Sequence, residues 1–252
     1  MITTIAFSAF AIASGVWMSV RAVRDHRAAI TARRGLLDDA ARRFPGARIT
    51  HGADHFPILA GRLDDGRQVR VELVPDTLVC RRLPQLWLKL TLLETSPCAR
   101  PKIGALARPT GAEFYSLVHE MPHLLIPPPS DAALLMRGDG NASRRQVERA
   151  AAMFGKLFAD LTLKEAAITS RGVRLVRQAA QGQRGAHLLL RQARFSITAI
   201  APETIRRTIA EAEALSGSLA DDEPAYSLPP SAGAIPEGIQ RFSDRECAVS
   251  KC

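Results

Sequence analysis

Residues 56–74 read FPILAGRLDDGRQVRVELV, and this stretch decides the fold class. Two runs of alternating residues, Phe56–Leu63 and Gln68–Val74, flank Asp64-Asp65-Gly66. The carboxylates favour tight local turns and the glycine accepts a positive φ, so the chain reverses there as a β-hairpin. Val69, Val71 and Leu73 point one way and Arg70 and Glu72 the other, which is the two-residue period of a strand with one buried face.

Working outward, Leu86-Trp87-Leu88-Lys89-Leu90-Thr91-Leu92 repeats that period, with four leucines on one side and Trp87, Lys89 and Thr91 on the other. Pro84 marks the start of this strand. Further strands are expected at 103–107, 113–118 and 123–126, the last closed by Pro127-Pro128-Pro129. Residues 130–140 read as a connection ending in Arg137-Gly138-Asp139-Gly140, a turn rather than an adhesion signal.

Ser143-Arg144-Arg145-Gln146 is a capping box, opening a helix whose apolar stripe is Val147, Ala150, Ala151, Phe154, Phe158 and Leu161. Strands are expected again at 166–169, 173–179 and 186–200. Pro202 opens a second helix bearing Ile205, Ile209, Ala212 and Leu215, and Gly217 closes it. Strand blocks each followed by one helix predict an α+β body: a mostly antiparallel sheet with about two packed helices.

Ahead of this body, Ile2 to Val20 is a run of nineteen uncharged residues, diluted by Thr3, Thr4, Ser8, Ser14, Gly15 and Ser19. As a helix rising about 1.5 Å per residue it spans roughly 28 Å, close to the hydrocarbon thickness of a bilayer. A cleaved signal peptide carries basic residues before its apolar core. Here Arg21, Arg24, Arg27, Arg33 and Arg34 follow the run instead, against the single acid Asp25. Such flanks stay cytoplasmic, so the expectation is a single-pass membrane protein with its amino terminus outside and its carboxyl-terminal domain in the cytoplasm. Trp17 suits the interface, and the five arginines are candidate membrane-surface residues.

The organisation expected is therefore a transmembrane anchor over residues 1–20, a basic juxtamembrane helix over 21–44 stopped by Pro45-Gly46, an α+β domain over 45–217, and a disordered tail over 218–252. The tail is rich in Pro, Ser and acids, carrying six acids against three bases. Its net −3 leaves +12 on the remainder of a chain whose formal charge is +9. Arginine supplies nearly all the positive charge, since only Lys89, Lys102, Lys156, Lys164 and Lys251 are lysines. A basic body attracts anionic lipid, nucleic acid or an acidic protein face. Aliphatic content of this order excludes a wholly disordered or collagen-like chain. The dispersed Cys80, Cys98, Cys247 and Cys252 exclude a disulfide scaffold and supply no paired metal-ligand spacing.

Arg171, Arg174, Arg177, Arg184, Arg191 and Arg194 lie between Ala166 and Pro202 with no acid among them, and they are the candidate anionic-partner site. Nucleic acid is disfavoured, because only Phe195 offers stacking nearby.

His119-Glu120-Met121-Pro122-His123 matches the letters of the zinc-protease helix H-E-x-x-H, but Pro122 denies the helix that would put both histidines on one face. His51, Asp54 and His55 form a second cluster, on a loop. Phosphate-loop, dinucleotide and serine-nucleophile motifs are absent from the sequence. No cofactor is expected, and non-enzymatic roles are favoured. The leading reading is a membrane-anchored accessory or interaction protein, held by lipid through its amino-terminal helix and binding an anionic or membrane-protein partner. A metal-dependent hydrolase using His119, Glu120 and His123, and a nucleic-acid-binding domain, are the alternatives.

Overall fold

In a computed structural model, the described residues are 2–44, 46–76, 83–95, 100–108, 116–185 and 193–219, with the side chains of α1 described at Phe7 and from Ala9 onward. The four cysteines, Arg191 and the segment from residue 220 lie outside them.

The body is built on one nine-stranded sheet in the order β1-β2-β3-β4-β9-β8-β5-β7-β6, antiparallel at every step. The strands are β1 (Arg48–His51), β2 (Pro57–Arg62), β3 (Gln68–Asp76), β4 (Gln85–Leu93), β5 (Ile103–Ala107), β6 (His123–Leu125), β7 (Leu134–Gly138), β8 (Leu163–Thr169) and β9 (Gly172–Gln181). The helices are α1 (Ile2–Arg34), a four-residue α2 (Asp38–Ala41), α3 (Arg144–Leu157) and α4 (Pro202–Gly217). The α+β expectation holds.

The deciding hairpin forms as its residues dictate. β2 meets β3 with Arg62 opposite Gln68, Gly66 takes φ 87°, and the Gly66 N–H donates to the Leu63 carbonyl at 3.0 Å. Val69, Val71 and Leu73 are buried. Leu86, Leu88, Leu90 and Leu92 of β4 join them on the face covered by α3 and α4, where Phe154, Phe158, Ile205, Ala212 and Leu215 complete the main core. The opposite face carries Trp87 with Val74 and Val176, beside the Glu72 carboxylate, which accepts from both Arg70 and Lys89.

The capping box is complete: the Gln146 N–H donates to Ser143 Oγ at 3.2 Å and the Ser143 N–H to Gln146 Oε1 at 2.9 Å. Pro202 opens α4 in the first turn as expected.

Five expectations are corrected. Residues 134–138, read as part of a connection, form β7, which pairs with both β5 and β6. Of the strand expected at 113–118, residues 113–115 lie outside the described residues, and Leu117–Glu120 is a 3-10 turn. That turn seats Val118 against β5 at Gly104, where any Cβ would come within 2.8 Å of the valine methyl. Of the strand expected at 186–200, residues 193–200 are irregular apart from one bridge, Gly182 to Phe195. Residues 36–40 are not part of a free basic stalk, because Leu36, Leu37 and Ala40 are buried in the main core. At the other end, Ser218 caps α4 and Leu219 is buried, so the folded body runs two residues past Gly217.

The amino-terminal run is helical, but among the described residues no helix is long and apolar enough to cross a membrane. The run is diluted by Ser14, Gly15 and Ser19 and closed by Arg21 and Arg24.

Candidate functional site

From Phe7 to Val20 the described side chains of α1 meet no covering protein among the described residues. Phe7 is 75% exposed, Phe10 71% and Trp17 65%, and Ile12, Val16, Met18 and Val20 are exposed as well. These side chains are distributed around the helix axis instead of along one stripe. A surface helix of a globular protein buries one stripe and wets the other, whereas a helix apolar on all sides belongs in a core or in lipid. The polar residues within the run are compatible with either. Ser19 Oγ donates to the Gly15 carbonyl at 2.8 Å, so its hydroxyl is satisfied by the helix itself.

Below the apolar run the surface turns basic. The Arg21 guanidinium lies 5.9 Å from the Trp17 ring centroid and its Nε 3.7 Å from Asp25. Arg24 and Arg27 are exposed. Arg33 and Arg34 face the body instead. The Arg33 guanidinium stacks over Phe56 at 5.5 Å, and Arg34 Nη2 lies 3.3 Å from His55 Nδ1. The five arginines placed at the membrane surface by sequence thus divide into three on the exposed helix and two at its junction with the β1–β2 loop.

At that junction a groove of about 470 Å³ runs between α1 and the body. Ala28, Ala32 and Arg33 form one wall and Phe56, Phe195 and Ile197 the other. Phe56 and Phe195 meet edge to face, with ring centroids 6.2 Å apart. Alanines on this face of α1 leave room that larger side chains would fill. Sequence reading missed the groove because Phe56 and Phe195 are 139 positions apart, each unremarkable locally.

Of the six arginines between Ala166 and Pro202, the five described ones do not form one basic face. Arg174 binds Glu165 through both Nε (2.8 Å) and Nη2 (2.6 Å). Arg177 is 4% exposed and pairs with Glu211 of α4 and, at 3.6 Å, with Asp160. Arg171 sits exposed in the β8–β9 turn, Arg184 is exposed, and Arg194 lines the groove beside α1. The acids that engage Arg174 and Arg177 come from β8, from the α3–β8 connection and from α4, outside the acid-free window.

Burial would raise the pKa of Asp160. Hydrogen bonds from Thr162 and the charges of Arg177 and Arg207 outweigh that and hold its carboxyl below the usual aspartate range.

The histidine clusters stay open. His119 and Glu120 end the 3-10 turn, Met121 adopts extended backbone (φ −86°, ψ 127°), and His123 begins β6; His119, Glu120 and His123 are exposed. Pro122 has the effect its chemistry requires, and the helical face that H-E-x-x-H needs is not formed. His51 ends β1. Asp54 turns its Oδ1 back to accept the Phe56 N–H at 3.1 Å, and His55 takes φ 65° in the same tight loop. Among the described residues no group of three His, Cys, Asp or Glu side chains lies close enough to hold a metal ion.

Comparison of the chain with protein-family models, with curated proteins and with solved structures finds no match.

Proposed function

We propose that this protein is a membrane-tethered accessory or interaction protein: the apolar half of α1 inserts in lipid, and the α+β body presents a partner-binding groove at the cytoplasmic surface. The observation that carries the reading is the ring of exposed apolar side chains from Phe7 to Val20, on which no described residue packs. Counted over the whole uncharged run from Ile2, the helix rises roughly 28 Å, which matches the hydrocarbon thickness, while its serines, threonines and glycine leave it less apolar than a strongly hydrophobic span. Arg21, Arg24 and Arg27 follow directly. Guanidinium groups resist transfer through the hydrocarbon and gain about 1 kcal/mol each near an anionic surface, which favours the amino terminus outside and the body inside.

The groove between α1 and Phe195 lies where the helix meets the body, so a membrane-protein partner docking there would contact lipid-borne and body residues together. Arg33, Arg194 and Asp25 around its apolar walls suit a protein surface of mixed polarity.

The test is membrane fractionation of the full chain together with topology reporters. The expected result is retention in the membrane after alkaline carbonate washing, with a carboxyl-terminal fusion active only when the reporter requires the cytoplasm. Release by carbonate would overturn the insertion, and activity of an exterior-requiring carboxyl-terminal reporter would overturn the orientation.

A further inference from the structure

One corner of the sheet face turned away from α3 and α4 is bare. On β1, β2 and β3 the side chains that pack on the main core are Ile49, Leu59, Val69 and Val71. The two-residue period of a strand therefore turns Arg48, Thr50, Ala60, Arg62, Gln68 and Arg70 to the opposite face, and all six are exposed.

The register gathers the cations. Arg48 of β1 stands opposite Ala60 of β2, Ala60 stands opposite Arg70 of β3, and Arg62 follows Ala60 by two residues on the same face. Opposed residues of antiparallel strands hold their Cβ atoms about 5 Å apart, and residues i and i+2 of one strand are separated by about 6.8 Å. Three arginines thus surround a single methyl group, which keeps the floor between them low.

Their charge is only partly answered. Glu72, next along this face of β3, accepts from Arg70 and from Lys89 of β4, so one carboxylate serves two cations. The Arg48 and Arg62 side chains have no ion-pair or hydrogen-bond partner among the described residues, and Asp64, in the turn beyond Arg62, makes no ion pair with it. Nucleic acid would add stacking on aromatic rings, and the outward residues of these three strands include no Phe, Tyr or Trp. Lipid headgroups are distant: with α1 upright in the bilayer, Arg34 lies roughly 20 Å beyond Val20, more than twice the screening length of about 8 Å. Carboxylates on an extended polypeptide repeat at the strand spacing that β2 itself has, and β1 ends the sheet, leaving a flank along which such a segment can lie.

We infer that this corner of the sheet docks an acidic segment of a protein partner, whose carboxylates engage Arg48 and Arg62 while Arg70 stays shared with Glu72. The inference rests on the reading of the chain as an interaction protein. It uses a surface other than the α1 groove and does not require membrane insertion, so an assay in detergent separates its failure from that of the tether.

The test uses the full chain in a non-ionic detergent and fluorescein-labelled hexaglutamate, read by anisotropy. The expected result is saturable binding that weakens as salt is raised. Arg48→Gln combined with Arg62→Gln is expected to raise the half-saturating concentration about tenfold, the joint effect of two exposed charge contacts. Arg145→Gln combined with Lys156→Gln removes the same charge from exposed positions of α3, on the other side of the sheet, and is expected to leave binding unchanged. All four positions are solvated, so both double variants should keep the parent's unfolding midpoint. Absence of binding, or an equal loss in the two double variants, would overturn the site. Displacement of the peptide by 5′-phosphorylated hexathymidylate, or by phosphatidylglycerol added to the micelles, at a lower concentration than by unlabelled hexaglutamate would overturn the assignment to a protein partner.

Discussion

Arg177 of β9 and Glu211 of α4 form an ion pair that joins the sheet to its covering helix, and the Arg177 side chain is almost wholly enclosed. Arg207 closes a ring, reaching Glu211 at 2.9 Å and Asp160 at 3.0 Å. Removing one member of an enclosed pair strands the other without water. Glu211→Ala is therefore expected to destabilise the body by about 3 kcal/mol, whereas Arg207→Ala, at a largely solvated residue, costs under about 1 kcal/mol. The double change Arg177→Met with Glu211→Leu should recover most of the loss, since no charge is then left buried. Thermal unfolding of the detergent-solubilised chain reads all three. Equal losses from Glu211→Ala and Arg207→Ala would show that the pair is no better shielded than a surface bridge.

The same ring sets a pH dependence. Asp160 has its folded pKa lowered, because the Thr162 hydrogen bonds and the two arginines overcome the opposing effect of burial. A group depressed in the folded state contributes stability that is present above its unfolded value, about 3.9, and lost as pH falls through the lower folded value. Midpoints measured from pH 6 down to pH 2 should fall at the acid end. Asp160→Asn should be less stable at pH 6 and show a shallower acid decline. The decline will not vanish, since Glu72 and Asp139 are lowered as well. A slope identical to the parent's would remove Asp160 from the cause.

Local chemistry accounts for what the sequence made legible. The Asp64-Asp65-Gly66 turn, the leucines of β4, the capping box at Ser143 and the Pro202 start of α4 each depend on residues within a few positions of one another, and each formed. β7 was hidden because Leu134–Gly138 sits between a proline run and a glycine turn, and its strand state comes from pairing with β5 and β6 on either side. The Arg174 and Arg177 pairs were illegible for the same reason: their acids approach from other elements, and an acid-free window of sequence is not an acid-free neighbourhood in space. Leu36 and Leu37 looked like the apolar flecks of a basic helix until the fold brought β2 and the residue Ile200 beside them, with the Ile200 N–H donating to the Leu36 carbonyl at 2.8 Å.

Gly172 and Gly66 both turn the chain, for different reasons. At Gly172 an added Cβ would stand 2.0 Å from the Leu92 carbonyl oxygen, an atom fixed in the β4 ladder. At Gly66 there is open space, and only the positive φ resists a side chain. Gly172→Ala is expected to cost about 3 kcal/mol by forcing β4 and β9 apart, and Gly66→Ala about 1 kcal/mol. Denaturant midpoints at constant slope check the order. A milder effect at Gly172 than at Gly66 would mean that β9 shifts without loss.

Val16→Arg distinguishes a lipid-buried α1 from a helix that merely projects into water. Val16 is exposed and touches no part of the core, so in water the substitution replaces one solvated side chain by another and leaves the unfolding midpoint of the body unchanged. In a bilayer the same residue lies within the uncharged run, where a guanidinium costs about 2.5 to 3.5 kcal/mol on insertion. Phe10→Arg should act alike, whereas a charge added next to Arg24 or Arg27 should not, because those positions already face the headgroups. The expected outcome is a shift of Val16→Arg from the carbonate-resistant membrane fraction toward the soluble one, with the body's stability intact. If the variant partitions like the parent, the apolar surface of α1 is covered by something other than hydrocarbon, and a second copy of the helix becomes the occupant to test by crosslinking.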